Sequence, residues 1–300
     1  MTSFIALTNR NIKLFFKDKG MFFTALITPM ILLVLYITFL GNVYEDSFVQ
    51  LLAAFGVTAD QTLLNSCVGG QLFSSLLSVS PITVAFCSNM LMVQDKVTGS
   101  YKDLTITPLK PWRMALSYYI ASFFATLIIC LLATAACFIY LGKVGWFFTL
   151  SDVLVLIFDV FLLTLFGTAF SAAVNVFLHS QGQISAVGSI VSACYGFICG
   201  AYMPISSFSE GLQKVLGLLP GTYGTALMRN HAMRGAIEEL QSSGLSQEGV
   251  TALRDLLDCN IYFFDHQVPV YGMYAVLGGF TLAFLTVYVV VNVIQVKRAK

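Results

Sequence analysis

The feature that most constrains this chain is the spacing of its charged residues. No Asp, Glu, Lys or Arg occurs in 20–44, 61–94, 114–142, 180–209 or 266–296. Each interval exceeds the roughly 20 apolar residues that cross a hydrocarbon core ~30 Å thick. A sixth, 153–178, is interrupted only by Asp159. With no water in that core to satisfy open backbone groups, runs of this length fold as helices. The expected fold is therefore an all-α integral membrane protein with six transmembrane helices near 21–41, 71–93, 114–141, 152–178, 183–203 and 270–293. Composition agrees, since only 10% of residues are charged, against about 25% in a typical soluble domain.

The placement of Lys and Arg sets an expected orientation. Eleven of the sixteen basic residues fall in three segments: Arg10 to Lys19, Lys96 to Arg113, and Lys297 to Lys300. An even number of spans puts these segments on one side, which the positive-inside rule makes cytoplasmic. Both termini are then cytoplasmic, and Glu45, Asp46, Asp60, Asp152, Glu210, Glu238, Glu239, Glu248, Asp255, Asp258 and Asp265 lie outside. The net charge of +1 gives no reason to expect a nucleic-acid partner.

The spacing predicts one transmembrane domain over 1–300 with three appended features. In 1–19, Phe4, Thr8, Ile12, Phe15 and Phe16 recur at helical spacing opposite Asn9, Arg10, Lys13 and Lys17. That pattern predicts an amphipathic helix lying in the headgroup region rather than a cleavable signal peptide. The cytoplasmic loop 94–113 holds Gly99 at its entry and Pro108 and Pro111 at its exit, bracketing a short helix from Ser100 to about Thr105. The outer segment 204–266 opens with Ser207-Phe208-Ser209-Glu210, the pattern of a capping box. Its short apolar pieces, ending at Leu219 and starting again at Tyr223, are expected to form an outer re-entrant helical hairpin before the last span. Ser246 is placed to cap a further helix carrying Val250, Leu253, Leu256 and Leu257.

Within the spans, Pro29 removes a backbone donor and is expected to kink the first helix. Gly188, Ser192, Gly196 and Gly200 recur every four residues, a smooth face suited to tight helix packing within the chain or across a dimer. Asp159 is the only charged side chain inside a predicted span, so it faces protein or water. It either lines the transport route or makes a structural hydrogen bond to a neighbouring helix. Cys67 and Cys259 both fall on the predicted outer side, leaving a disulfide between them an open question.

Nothing in the chain supplies an energy source or an enzyme site. The only Gly-Lys pair, Gly142-Lys143, continues with Val144 and so makes no phosphate-binding loop. No His-Glu-x-x-His pattern or Ser/His/Asp set is present.

The order of these elements resembles the ABC-2 family of exporter membrane subunits, the type V exporters. Asn9-Arg10-Asn11-Ile12-Lys13 with Lys17-Asp18-Lys19 is similar to the family's N-terminal R-N-x-K…R-D segment. Asp95-Lys96 through Gly99-Ser100, Leu104 and Thr107-Pro108-Leu109 is similar to its E-R-E-x-G-T…L…T-P-L coupling segment. Leu219-Pro220, Tyr223 and Ala226-Leu227-Met228-Arg229 resemble its outer L-P…Y…A-L-R. Val97 stands where a second acidic residue is usual, and Ser100 where Thr is.

The resemblance implies an exporter permease without ATPase activity in the cell membrane. It implies no cofactor in this chain, with ATP and Mg2+ bound by cytoplasmic ATP-binding-cassette ATPase subunits. The coupling contact then comprises Asp95, Lys96, Gly99, Tyr101, Lys102, Asp103, Leu104, Thr107 and Pro108, with His179 and Gln181 in a second contact. A second copy of the chain, or a homologous permease, completes the route across a face that includes Gly188, Ser192, Gly196 and Gly200. The expected cargo is an amphipathic, lipid-like, peptide or drug molecule. The alternative is a secondary transporter or channel without an ATPase partner, which would require inverted repeats or ion-coordinating groups at mid-membrane.

Overall fold

The computed structural model describes residues 2–58, 60–107, 109–263 and 266–298. Expectations that fall on Pro108, Asp265 and Lys300 lie outside these residues. Helix α1 (Thr2–Lys17) is followed by α2 (Lys19–Leu35), which is capped by Asp18 Oδ1 on the Met21 N–H at 3.0 Å. The chain stays helical through Pro29 and widens instead into a π turn at Tyr36–Leu40 before α3 (Gly41–Ala54). The expected outer loop at Glu45 is thus part of a helical run of 36 residues, Lys19–Ala54. At ~1.5 Å per residue this run is ~54 Å long, well beyond a ~30 Å core.

Helix α4 (Gln61–Thr98) is the axis of the bundle and is buried along most of its length. Its hydroxyls remain inside because Ser78, Ser80 and Thr83 donate to carbonyls four residues earlier. The short α5 (Ser100–Ile106) follows Gly99, whose φ of +86° turns the chain left-handed and ends α4. Pro111 then starts α6 (Pro111–Val144) at a position where its missing N–H costs nothing. Helix α7 (Leu150–Asn175) opens with a capping box between Thr149 and Asp152.

The expected fifth span, near 183–203, appears as α8 (Gln181–Ile198), only 18 residues long. Among the described residues, five helical stretches are long and apolar enough to cross a membrane: Lys19–Ala54, Gln61–Thr98, Pro111–Val144, Leu150–Asn175 and Val270–Arg298. Helix α8 falls short for two reasons. Its first turn spends Gln181 and Gln183 on the polar side, and the chain leaves the helix after Ile198. Gly200 sits beyond that end with φ +76°, so it is not part of the small-residue face expected from spacing.

The outer segment contains α9 (Glu210–Leu216), α10 (Pro220–Ala232), α11 (Arg234–Ser242) and α12 (Gln247–Leu256), then an antiparallel pair β1 (Tyr262–Phe263) and β2 (His266–Gln267), and finally α13 (Val270–Arg298). Ser207 belongs to a 3-10 turn, and Ser209 precedes α9 without a side-chain cap, so the expected capping box does not form. Ser246 does cap α12, accepting from the Gly249 N–H at 3.1 Å. Nearly every residue of α10 is buried, and the helix packs between α4, α7 and α13. Cys67 and Cys259 are both buried free thiols.

Two apolar clusters mark the two ends. Leu7, Val93, Tyr101, Met114, Tyr118, Val176, Tyr288 and Val296 gather α1, α5 and the near ends of α4, α6, α7 and α13. The basic segments therefore share one end of the bundle. Phe48, Cys67, Leu141, Leu227, Ile237 and Leu253 gather the other end with α10, α11 and α12.

Candidate functional site at the basic end

Helix α1 docks on α6. Its buried stripe is Leu7, Thr8, Asn11 and Phe15, at helical spacing, whereas Ile5 and Phe16 point outward. The difference from expectation is a rotation of the face, and its cause is Arg10. The Arg10 guanidinium reaches the carboxylate of Asp95 in the last turn of α4 through two hydrogen bonds of 2.7 and 3.0 Å. Tyr118 of α6 donates to the same carboxylate at 2.6 Å. A paired, doubly hydrogen-bonded carboxylate tolerates burial that a lone one would not, and Asp95 is 6% exposed. Its hydrogen bond to Arg10 raises the guanidinium pKa further, outweighing the burial that opposes it.

Lys96, the next residue, points to a different neighbour. Its Nζ donates to the Val176 carbonyl at the end of α7 at 2.8 Å. It lies 3.5 Å from Gln295 Oε1 on α13 and 5.8 Å from the centre of the Tyr101 ring on α5. Gln295 Nε2 donates to the same Val176 carbonyl at 3.1 Å.

Helix α5 is two-faced. Tyr101 is buried, its ring 6.3 Å from that of Tyr118, and burial pushes its phenol up to about 12. Lys102 and Asp103 are exposed, Leu104 is half-buried, and Ile106 is 82% exposed. Thr107 closes the helix by donating to the Leu104 carbonyl at 2.6 Å. Val97 and Trp112 are exposed on either side, so a short helix held by one aromatic anchor presents apolar side chains outward among charges. The turn after α7 lies at the same end, because Val176 and Ile184 join the Tyr101 cluster. His179 and Gln181 are both exposed there, and the His179 N–H donates to Gln183 Oε1 at 2.9 Å.

The expected contact residues therefore divide. Lys102, Asp103, His179 and Gln181 face outward, whereas Asp95, Lys96 and Tyr101 face into the bundle and hold its end together. Arg10 has no signal in sequence that names its partner, since the two residues are 85 positions apart.

Away from this end, Gly188 and Ser192 line a cavity of about 320 Å³ with Thr24, Thr28, Phe86 and Met90. Gly196 does not share that face, because the ring of Tyr202 already occupies the space over it. Asp159 is 1% exposed and accepts hydrogen bonds from His231 Nδ1 at 2.6 Å and Tyr274 Oη at 2.5 Å. It ties α7 to α10 and α13 and does not line the α2–α4–α8 cavity. Sequence reasoning also missed the buried pair of Arg229 and Asp258, 3.2 Å apart. Arg229 also donates to the Gly200 carbonyl, and the Ile205 N–H donates to Asp258 at 2.6 Å.

Residues 2–232 match the family model described as ABC-2 type transporter. A search of curated proteins found no match to the chain.

Proposed function

The chain belongs to the ABC-2 type transporter family, and we propose that it is the permease half of an exporter driven by separate ATP-binding-cassette subunits docked on α5. Permeases of this family work with ATPase subunits and lack ATPase activity themselves. The observation that carries the docking site is the two-faced α5, fixed by buried Tyr101 while Ile106 stands 82% exposed. Exposed Val97 and Trp112 flank it, and exposed apolar groups rimmed by polar residues mark protein interaction sites. The exposed turn at His179 and Gln181 supplies a second contact.

In this reading α8 is the fifth of six spans. Its 18 residues give ~27 Å, close to the ~30 Å required. Six spans put both termini, with their basic segments, on the cytoplasmic side. The route follows α2, α4 and α8, where the cavity at Gly188 shares Thr24, Cys87 and Met90 with a second one of about 130 Å³ reaching Asp18 and Gln94. Among the described residues their lining is apolar and hydroxyl-bearing, joined by Asp18 and Gln94. That suits an amphipathic cargo moved outward, and a second copy or a homologous permease faces α2 and α8 to close the route.

The test is affinity purification of the tagged chain from its native membrane. Wild type should bring down vanadate-sensitive ATP hydrolysis. Ile106→Asp should lose it while unfolding at the same temperature, since its side chain is exposed. A wild-type chain that purifies without any ATP-binding subunit overturns the proposal.

A further inference from the structure

We propose that Lys96 is a positioning residue that makes α5 and the His179–Gly182 turn move as one body. The inference rests on the docking reading above and goes beyond it.

Gly99, at φ +86°, is a single left-handed residue between α4 and α5. Left to the backbone alone, such a joint lets a short helix swing without moving the helix before it. Helix α5 has only seven residues, too few for a helix to persist without tertiary anchors. Lys96 lies on the α4 side of this joint, and its ammonium closes the gap. It sits 5.8 Å from the Tyr101 ring centre, within the range of attraction between a cation and a π face. The same ammonium donates to the Val176 carbonyl at 2.8 Å. The final carbonyls of a helix have no partner inside it, and its C-terminus attracts cations. The end of α7 is thereby fastened to α4 and α5. Gln295 completes the clasp from α13 by donating to that carbonyl at 3.1 Å. The exposed turn begins three residues after Val176, so a push on either surface passes through Lys96 to the other.

The experiment uses the permease–ATPase complex in lipid vesicles, with exposed Cys194 replaced by Ser. Spin labels are placed through Lys102→Cys on α5 and His179→Cys on the turn. In wild type the label separation should agree to within ~2 Å between the nucleotide-free state and the state trapped with ATP and vanadate. Lys96→Met should broaden that distribution and separate the two states by about one helical turn, ~5 Å. Lys96→Arg keeps a cation in reach and should restore the narrow distribution.

If Lys96→Met does not accumulate, Gln295→Leu removes one arm of the clasp and should broaden the distribution in the same sense. An unchanged, narrow separation in Lys96→Met or in Gln295→Leu overturns the clasp. So does failure of Lys96→Arg to rescue. Failure of the docking reading looks different, because then the wild-type complex itself yields no ATP hydrolysis.

Discussion

Removing Arg10 should loosen α1 more than removing its partner Asp95, although both changes delete the same ion pair. The asymmetry follows from exposure. The Arg10 side chain is 36% exposed and also bonds Asn11 Oδ1 at 2.9 Å, so without Asp95 it turns to water. An exposed pair is worth about 0.5–1 kcal/mol, and Asp95→Ala should cost α1 docking no more than that. Asp95 is only 8% exposed at its side chain. In Arg10→Met it stays under α1 with one donor, Tyr118, and a buried unpaired charge costs about 3–5 kcal/mol. Taking ~3 kcal/mol because Tyr118 remains, undocking should become roughly 100-fold more frequent, at 1.4 kcal/mol per tenfold.

Undocking is read by placing a cysteine at Leu7, 5% exposed on the face against α6, in a background with Cys194→Ser. The rate of labelling by a water-soluble maleimide then reports the open fraction. Arg10→Met should raise it about 100-fold and Asp95→Ala by less than about fivefold. The double variant should behave like Asp95→Ala alone, because removing the carboxylate removes the penalty. Equal effects of the two single changes, or simple multiplication in the double variant, would refute the reasoning.

Three further outcomes are expected. A Cβ on Gly235 would stand 1.8 Å from the Phe147 carbonyl oxygen, whereas one on Gly182 would meet nothing within 4 Å. Gly235→Ala should therefore lower stability by about 1–3 kcal/mol and Gly182→Ala should be neutral or raise it by up to ~1 kcal/mol, measured as thermal unfolding in detergent. Asp159→Leu strands the donors His231 and Tyr274 and should cost about 1–3 kcal/mol in the same measurement, with Asp159→Asn, which keeps an acceptor, costing less. In native protein at neutral pH, maleimide followed by mass spectrometry should leave Cys259 unmodified. Cys259, buried with its thiol pushed up to about 12 by that burial, should react only after denaturation.

Where structure followed local chemistry, the sequence was legible. Intervals with at most one charged residue located the long apolar helices, because the cost of burying charge acts residue by residue. Gly99 marked the start of α5 and Pro111 the start of α6 through backbone geometry alone. The docking of α1 was not legible, since periodicity identifies a face without saying what covers it. Helix α10 is the sharper case. Thr222, Thr225, Arg229 and Asn230 give it the composition of an outer loop, yet all four are buried. Their burial depends on acceptors far along the chain. Arg229 meets Asp258 and the Gly200 carbonyl, each 29 residues away, and Asn230 donates to the Cys259 carbonyl. Burial raises the Asp258 carboxyl pKa even though the Arg229 charge opposes the shift, a balance no local pattern encodes.

The polar contacts also decide which helices can shift independently. Between helices in lipid there is no hydrophobic drive, so packing and hydrogen bonds set what stays together. Ser88 of α4 meets Thr126 of α6 at 3.1 Å. Asn89 of α4 donates to Ser171 of α7, and Ser171 donates to the Ala85 carbonyl at 3.0 Å. Asp159 adds α10 and α13 to this frame through His231 and Tyr274, and Lys96 and Gln295 repeat the link at the basic end. Helices α2 and α8 stand apart from it. Among the described residues, Tyr36, just past α2 and 3.4 Å from Ser75, is the nearest equivalent tie. Moving α7 against α4 breaks buried hydrogen bonds, whereas moving α8 along α4 breaks apolar contacts that reform one turn away. The cavity at Gly188 and Ser192 lies between those two loosely tied helices and α4, so a shift of either helix along α4 changes its width without breaking the buried hydrogen bonds of the frame.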